Sequence, residues 1–143
     1  MKSTATVLVT AIVGITTLSG CGGGDPYCEA VDKNKNTLNT FGQKRTNAAY
    51  ANYAKVFGDV GKQAPAAIKK DWTTLSTVTT GILDAHKKVG IKLEEMTDKA
   101  KVKKLSDAQR EELNAAYTTF NETKAQRNAV VKNVKQECKI NLK

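Results

Sequence analysis

Residues 65–89 read Pro65-Ala66-Ala67-Ile68-Lys69-Lys70-Asp71-Trp72-Thr73-Thr74-Leu75-Ser76-Thr77-Val78-Thr79-Thr80-Gly81-Ile82-Leu83-Asp84-Ala85-His86-Lys87-Lys88-Val89. This stretch decides the fold class because it carries two opposed signals. Five threonines fall within residues 73–80 and Gly81 follows, a poor composition for a helix. A strand needs alternating apolar residues, and Trp72, Thr74, Ser76, Val78 and Thr80 do not supply them. Ile68, Trp72, Leu75, Thr79, Ile82, His86 and Val89 instead recur at spacings of four and three, the signature of one helix face. The spacing predicts a helix from about Pro65 to Val89 with a soft or bent centre.

The same periodicity extends outward on both sides. Asp25-Pro26 reads as a helix start, Asp as cap and Pro at the first helical position. Tyr27, Val31, Leu38 and Phe41 then form a stripe that includes Asn34, and Gly42 is a natural stop. A second helix is expected over about Asn47 to Val60, with Tyr50, Tyr53, Phe57 and Val60 inward and Gly58 and Gly61 weakening its end. Residues 90–105 read as a mixed connector. Leu93 and Met96 are able to pack on the core, and Lys99, Lys101, Lys103 and Lys104 make it the most basic stretch. At Ser106, Ser-x-x-Gln to Gln109 forms a capping box. The fourth helix is expected to run from there to about Cys138, carrying Leu113, Tyr117, Phe120, Val131, Val134 and Cys138 on its stripe. Between Phe120 and Val131 that stripe holds Lys124 and Arg127 instead of apolar residues.

The N-terminal segment has a different character. Lys2 precedes an apolar stretch from Ala5 to Leu18, and Leu18-Ser19-Gly20-Cys21 closes it. A charged start, an apolar middle and small residues at the end describe a secretory signal. The apolar stretch is shorter than the roughly 20 residues of a membrane span, and Thr6, Thr10, Thr16 and Thr17 interrupt it. With Cys21 just past the small residues, the segment resembles the lipobox of bacterial lipoproteins. That resemblance implies a signal peptide over residues 1–20, removed on processing, and a diacylglyceryl (palmitate-type) anchor on the Cys21 sulfur. Residues 21–25, the lipidated Cys and a short glycine linker, would join the anchor to a domain over residues 26–143. Gly22-Gly23-Gly24 spans at most about 10 Å, so the domain is expected to sit against the membrane face.

Removing residues 1–20 leaves 123 residues, enough for one domain with a single core. The remaining 22 basic and 14 acidic residues give a net charge of +8, since Lys2 alone leaves with the signal. A basic envelope protein is drawn to anionic lipid or to anionic wall polymer. No basic motif interleaved with aromatics appears, and a secreted address argues against nucleic acid.

With Cys21 assigned to lipid, Cys28 and Cys138 remain, and only one intramolecular pairing exists between them. An extracytoplasmic compartment permits that disulfide; two unpaired buried thiols are the alternative. Four up-and-down helices bring the start of the first and the end of the last to the same end, whereas three would separate them. Helix count and disulfide therefore support each other. The expected fold is all-α, a four-helix up-and-down bundle tied by a disulfide between its ends.

Tyr27-Cys28 soon after the anchor, Trp72 in mid-chain and Cys138-Lys139-Ile140-Asn141-Leu142 near the end resemble small secreted lipoproteins of actinobacteria. Lys139 stands where such proteins more often carry Gly, which would ease a helix C-cap. The resemblance implies an all-helical, disulfide-tied, membrane-anchored domain without an established activity.

Few chemistries fit. His86 is the only histidine, and zinc needs three or four protein ligands. Neither His-Glu-x-x-His, nor a Gly-x-Ser-x-Gly elbow, nor a phosphate-binding Gly-x-x-x-x-Gly-Lys loop occurs. Glu94-Glu95 and Glu111-Glu112 are sequence neighbours, not paired acids facing across a cleft. No catalytic residue, metal site or cofactor is expected. The expectation is a non-catalytic binding or interaction module of the cell envelope, lipid-anchored on the extracytoplasmic face, with an envelope protein as partner. The alternative is a carrier of a small anionic or amphipathic ligand between the helices. For that role Lys124, Arg127 and His86 are the candidate ligand-binding residues, joined in one polar layer with Asn34 and Thr79. A carrier predicts an interior pocket; an interaction module predicts a filled core and an exposed apolar or aromatic patch.

Overall fold

The computed structural model describes residues 24–143. Residues 1–20, expected to form a signal peptide, and Cys21, Gly22 and Gly23 lie outside the described residues. Helices α1 (Pro26–Asn39), α2 (Asn47–Gln63) and α3 (Ala66–Val89) follow one another with short turns. A 3₁₀ segment (Leu93–Thr97) and α4 (Lys99–Lys103) make up the connector, and α5 (Asp107–Asn121) and α6 (Lys124–Cys138) complete the chain. Among the described residues there is no strand. The fold is an all-α up-and-down bundle in which α5 and α6 together form the fourth arm.

Helix α3 is the centre of the bundle, packing on α2, α5 and α6. All seven residues of its expected stripe are buried. The threonine-rich segment does not interrupt it. Hydroxyls of Thr73, Thr79 and Thr80 donate to carbonyls one turn back, so their polarity is satisfied within the helix. Ser76 donates instead to the Ala54 carbonyl of α2 at 2.8 Å, pinning the two helices. Helix α2 continues through Gly58 and Gly61 to Gln63. The glycines permit close packing there: a Cβ at Gly61 would lie 3.0 Å from Trp72 Cβ.

The fourth arm departs from the sequence expectation. It breaks at Glu122-Thr123, between α5 and α6. Two turn residues rotate α6 relative to α5, so Val130 faces the core and Val131, expected inward, is 37 % exposed. At the break the Phe120 carbonyl accepts from the Thr123 N–H at 3.2 Å, from Thr123 Oγ1 at 2.7 Å and from Arg127 Nη1 at 3.1 Å.

Asp25 caps α1 through Tyr27 N–H, and Ser106 with Gln109 forms the expected capping box on α5. The predicted pair Cys28–Cys138 is a disulfide, with Cα atoms 5.2 Å apart and a sequence separation of 110. The start of α1, the start of α3 and the end of α6 therefore meet at one end, and the connector with α4 lies at the other.

Candidate functional site

At the disulfide end, three helices meet through one hydrogen-bonded chain. Trp72 Nε1–H donates to the Tyr27 hydroxyl at 3.1 Å, and that hydroxyl donates to Asn133 Oδ1 at 2.8 Å. Trp72 and Tyr27 are almost wholly buried, their rings edge to face at 6.4 Å. Burial raises the Tyr27 pKa, so its hydroxyl keeps the proton it donates. The polar atoms of Trp72 and Tyr27 are thus satisfied within this chain.

His86 is buried and doubly bonded. Nδ1 lies 2.8 Å from the Ile91 carbonyl, which only accepts, so Nδ1 carries the proton. Nε2 then accepts from the Tyr117 hydroxyl at 2.8 Å. Burial raises the Tyr117 pKa and keeps that hydroxyl a donor. His86 thus joins α3 to α5 and holds the turn after the left-handed Gly90. Both ring nitrogens are occupied.

The expected polar layer does not assemble. Asn34 donates to the Ala30 carbonyl and Thr79 to that of Leu75, each within its own helix. Lys124 is exposed. His86 borders a shallow groove with Gly90 and Ile91, whereas Arg127 lines a separate pocket with Trp72 and Leu75.

That pocket, of about 110 Å³, opens between α1, α2, α3 and α6. Its floor is Phe57, Trp72, Leu75 and Val130, all buried, and Leu38, Phe41 and Leu142 stand around it. Val131 and Lys143 mark the solvent side. Arg127 is half-buried, its guanidinium 5.3 Å from the Phe120 ring centroid. Nη1 also meets Thr123 Oγ1 at 2.8 Å. Among the described residues, neither Nη2 nor Nε has an acceptor, and no carboxylate pairs with Arg127.

The sequence marks Arg127 as anomalous but gives no sign of the pocket, because the phase shift at Glu122-Thr123 creates it. Asn121 and Thr123, two poor helix formers in succession around Glu122, are the available signal for that break. The tie from Tyr27 to Asn133 had no signal, since it depends on register between helices.

The described residues contain no group of three or more His, Cys, Asp or Glu side chains able to hold a metal ion. No described helix is long and apolar enough to cross a membrane. Comparison with protein-family models, curated proteins and solved structures gave no match.

Proposed function

We propose that this chain is a bacterial lipoprotein, held by acylated Cys21 on the outer face of the cytoplasmic membrane, and that its helical domain is a non-catalytic binding module of the cell envelope. The observation that carries this reading is the position of the domain's start. Helix α1 begins five residues after Cys21, at the end closed by Cys28–Cys138. A disulfide fits an extracytoplasmic address, and a tether of about 10 Å sets the disulfide end against the bilayer.

In this orientation the basic segment Lys99–Lys104 stands at the far end. Helix α3 alone has 24 residues, about 36 Å of length. Charges that far away are beyond the roughly 8 Å reach of a screened surface potential. The segment therefore suits an anionic wall polymer better than the lipid head groups around the anchor.

The carrier reading also has a specific observation behind it. The aromatic side chains are buried or half-buried, and Val131 is the one large apolar residue exposed among those described. A docking patch of aromatics is thus missing from the described surface, while a pocket with a free cation is present.

Labelling cells with an alkynyl palmitate tests the anchor. The wild-type chain is expected to carry the label and sediment with membranes, and Cys21→Ser to lose the label and appear in the soluble fraction. An unlabelled wild type, or a labelled Cys21→Ser chain, would overturn the reading.

A further inference from the structure

Three features converge on the Arg127 pocket. Its floor is apolar and its lining includes no acidic residue. Its lining cation Arg127 has no carboxylate partner among the described residues. Val131, the exposed apolar residue, sits on its rim. An apolar floor with a guanidinium at the opening matches a molecule that is apolar at one end and anionic at the other.

We propose that this pocket binds a single-chain carboxylate amphiphile. The free edge of the Arg127 guanidinium, Nη2 and Nε, takes the carboxylate as a two-point hydrogen-bonded pair. The end of the alkyl chain enters between Phe57, Trp72 and Val130. A volume of about 110 Å³ holds a short alkyl segment and not a long-chain lipid tail. The ligand is therefore a medium-chain fatty carboxylate whose remaining methylenes cover Val131. Arg127 is prepared for this role by Nη1, which the Phe120 carbonyl and Thr123 hydroxyl hold in place. The inference deepens the carrier reading and does not depend on the anchor.

Trp72 is the only tryptophan of the chain and lies on the pocket floor, so its fluorescence reports occupancy. The full chain carrying Cys21→Ser is titrated with terminally brominated decanoate, below its micelle concentration and at fixed ionic strength. Saturable quenching is expected. Arg127→Gln should weaken binding about tenfold or more, as loss of a charged hydrogen-bonded pair does. Brominated decanol should bind the unsubstituted pocket as weakly as decanoate binds Arg127→Gln. Val131→Glu changes an exposed residue and leaves the core intact, yet it places a like charge at the rim and should weaken decanoate severalfold. Linear, unsaturated quenching would overturn the proposal. So would equal affinity for decanoate in Val131→Glu, or equal affinity for decanol and decanoate in the parent chain. Palmitate labelling of the wild-type chain together with no saturable quenching in the Cys21→Ser chain would reject the pocket and leave the anchor standing.

Discussion

The Trp72 indole N–H donates to the Tyr27 hydroxyl across 45 residues of sequence, one residue away from the disulfide at Cys28. Both partners lie within the core, and Asn133 Oδ1 accepts from the Tyr27 hydroxyl in turn. The polar chain and the covalent bridge fasten α1 to α6 at the same level, with α3 held between them. Tyr27-Cys28, Trp72 and Cys138, scattered in sequence, are neighbours in space. Their shared task is to close this end of the bundle.

Removing the hydroxyl should therefore be costly. Tyr27→Phe leaves the Trp72 N–H buried without an acceptor and Asn133 Oδ1 without its donor. We expect a loss of about 1–3 kcal/mol, measured by urea unfolding. Adding Trp72→Phe should then cost less than it does alone, because the orphaned donor has gone.

The disulfide itself closes a loop of over a hundred residues. Replacing Cys28 and Cys138 by Ser should lower stability by up to about 5 kcal/mol, the chain-entropy figure for such a loop. The corresponding measurement is the denaturation midpoint of the double variant beside that of the parent under oxidising conditions. A double variant as stable as the parent would refute the assignment of the bridge as a main support.

Two glycines inside helices should respond to alanine in opposite directions. Gly81 has open space where a Cβ would sit, so Gly81→Ala should stabilise α3 by about 0.5–1 kcal/mol. A Cβ at Gly61 would lie 3.0 Å from Trp72 Cβ, so Gly61→Ala forces α2 away from α3 and should lower the melting temperature despite the better helix former. Thermal melts of the two variants separate propensity from packing.

Lys139 ends α6 in the left-handed region with φ of 57°, the only described non-glycine residue with positive φ. Lys139→Gly should raise stability by about 1 kcal/mol, since the left-handed penalty outweighs glycine's extra chain entropy. A neutral or negative change in the unfolding free energy would contradict this account of the cap.

Acid should loosen one contact between the connector and α2. The Glu94 carboxylate accepts the Asn47 N–H at 2.9 Å, and Asn47 Oδ1 accepts the Leu93 N–H at 3.0 Å. The bond from Asn47 is the first cause that lowers the Glu94 pKa below its ordinary 4.5. A carboxylate lowered in the folded state contributes above its ordinary value, and that contribution is lost as pH falls through the folded value. The Asn47 and Leu93 amide resonances should shift together on acidification, and Glu94→Gln should abolish the titration of both.

The stripes of α2 and α3 were fully legible in the sequence, because periodic burial is a local property of each helix. The bundle order followed from Cys28 and Cys138 because a covalent bridge restricts which ends meet. The break at Glu122-Thr123 was not legible. Periodicity from Phe120 to Val131 survives an uninterrupted helix, and only the packing of α6 on α1 and α3 selects Val130 as the inward residue. His86 was legible as core-facing. Its two partners were not, since one comes from a turn and the other from α5.

Every turn between the helices lies between Cys28 and Cys138. A protease that cuts at the turn after α1, or anywhere in the connector before α5, opens the chain without parting it. Both pieces remain one covalent molecule, and two bands appear on a gel only after reduction. Shedding the domain from its N-terminal residues thus takes either a cut ahead of Cys28 or two separate chemical events, one hydrolytic and one reductive.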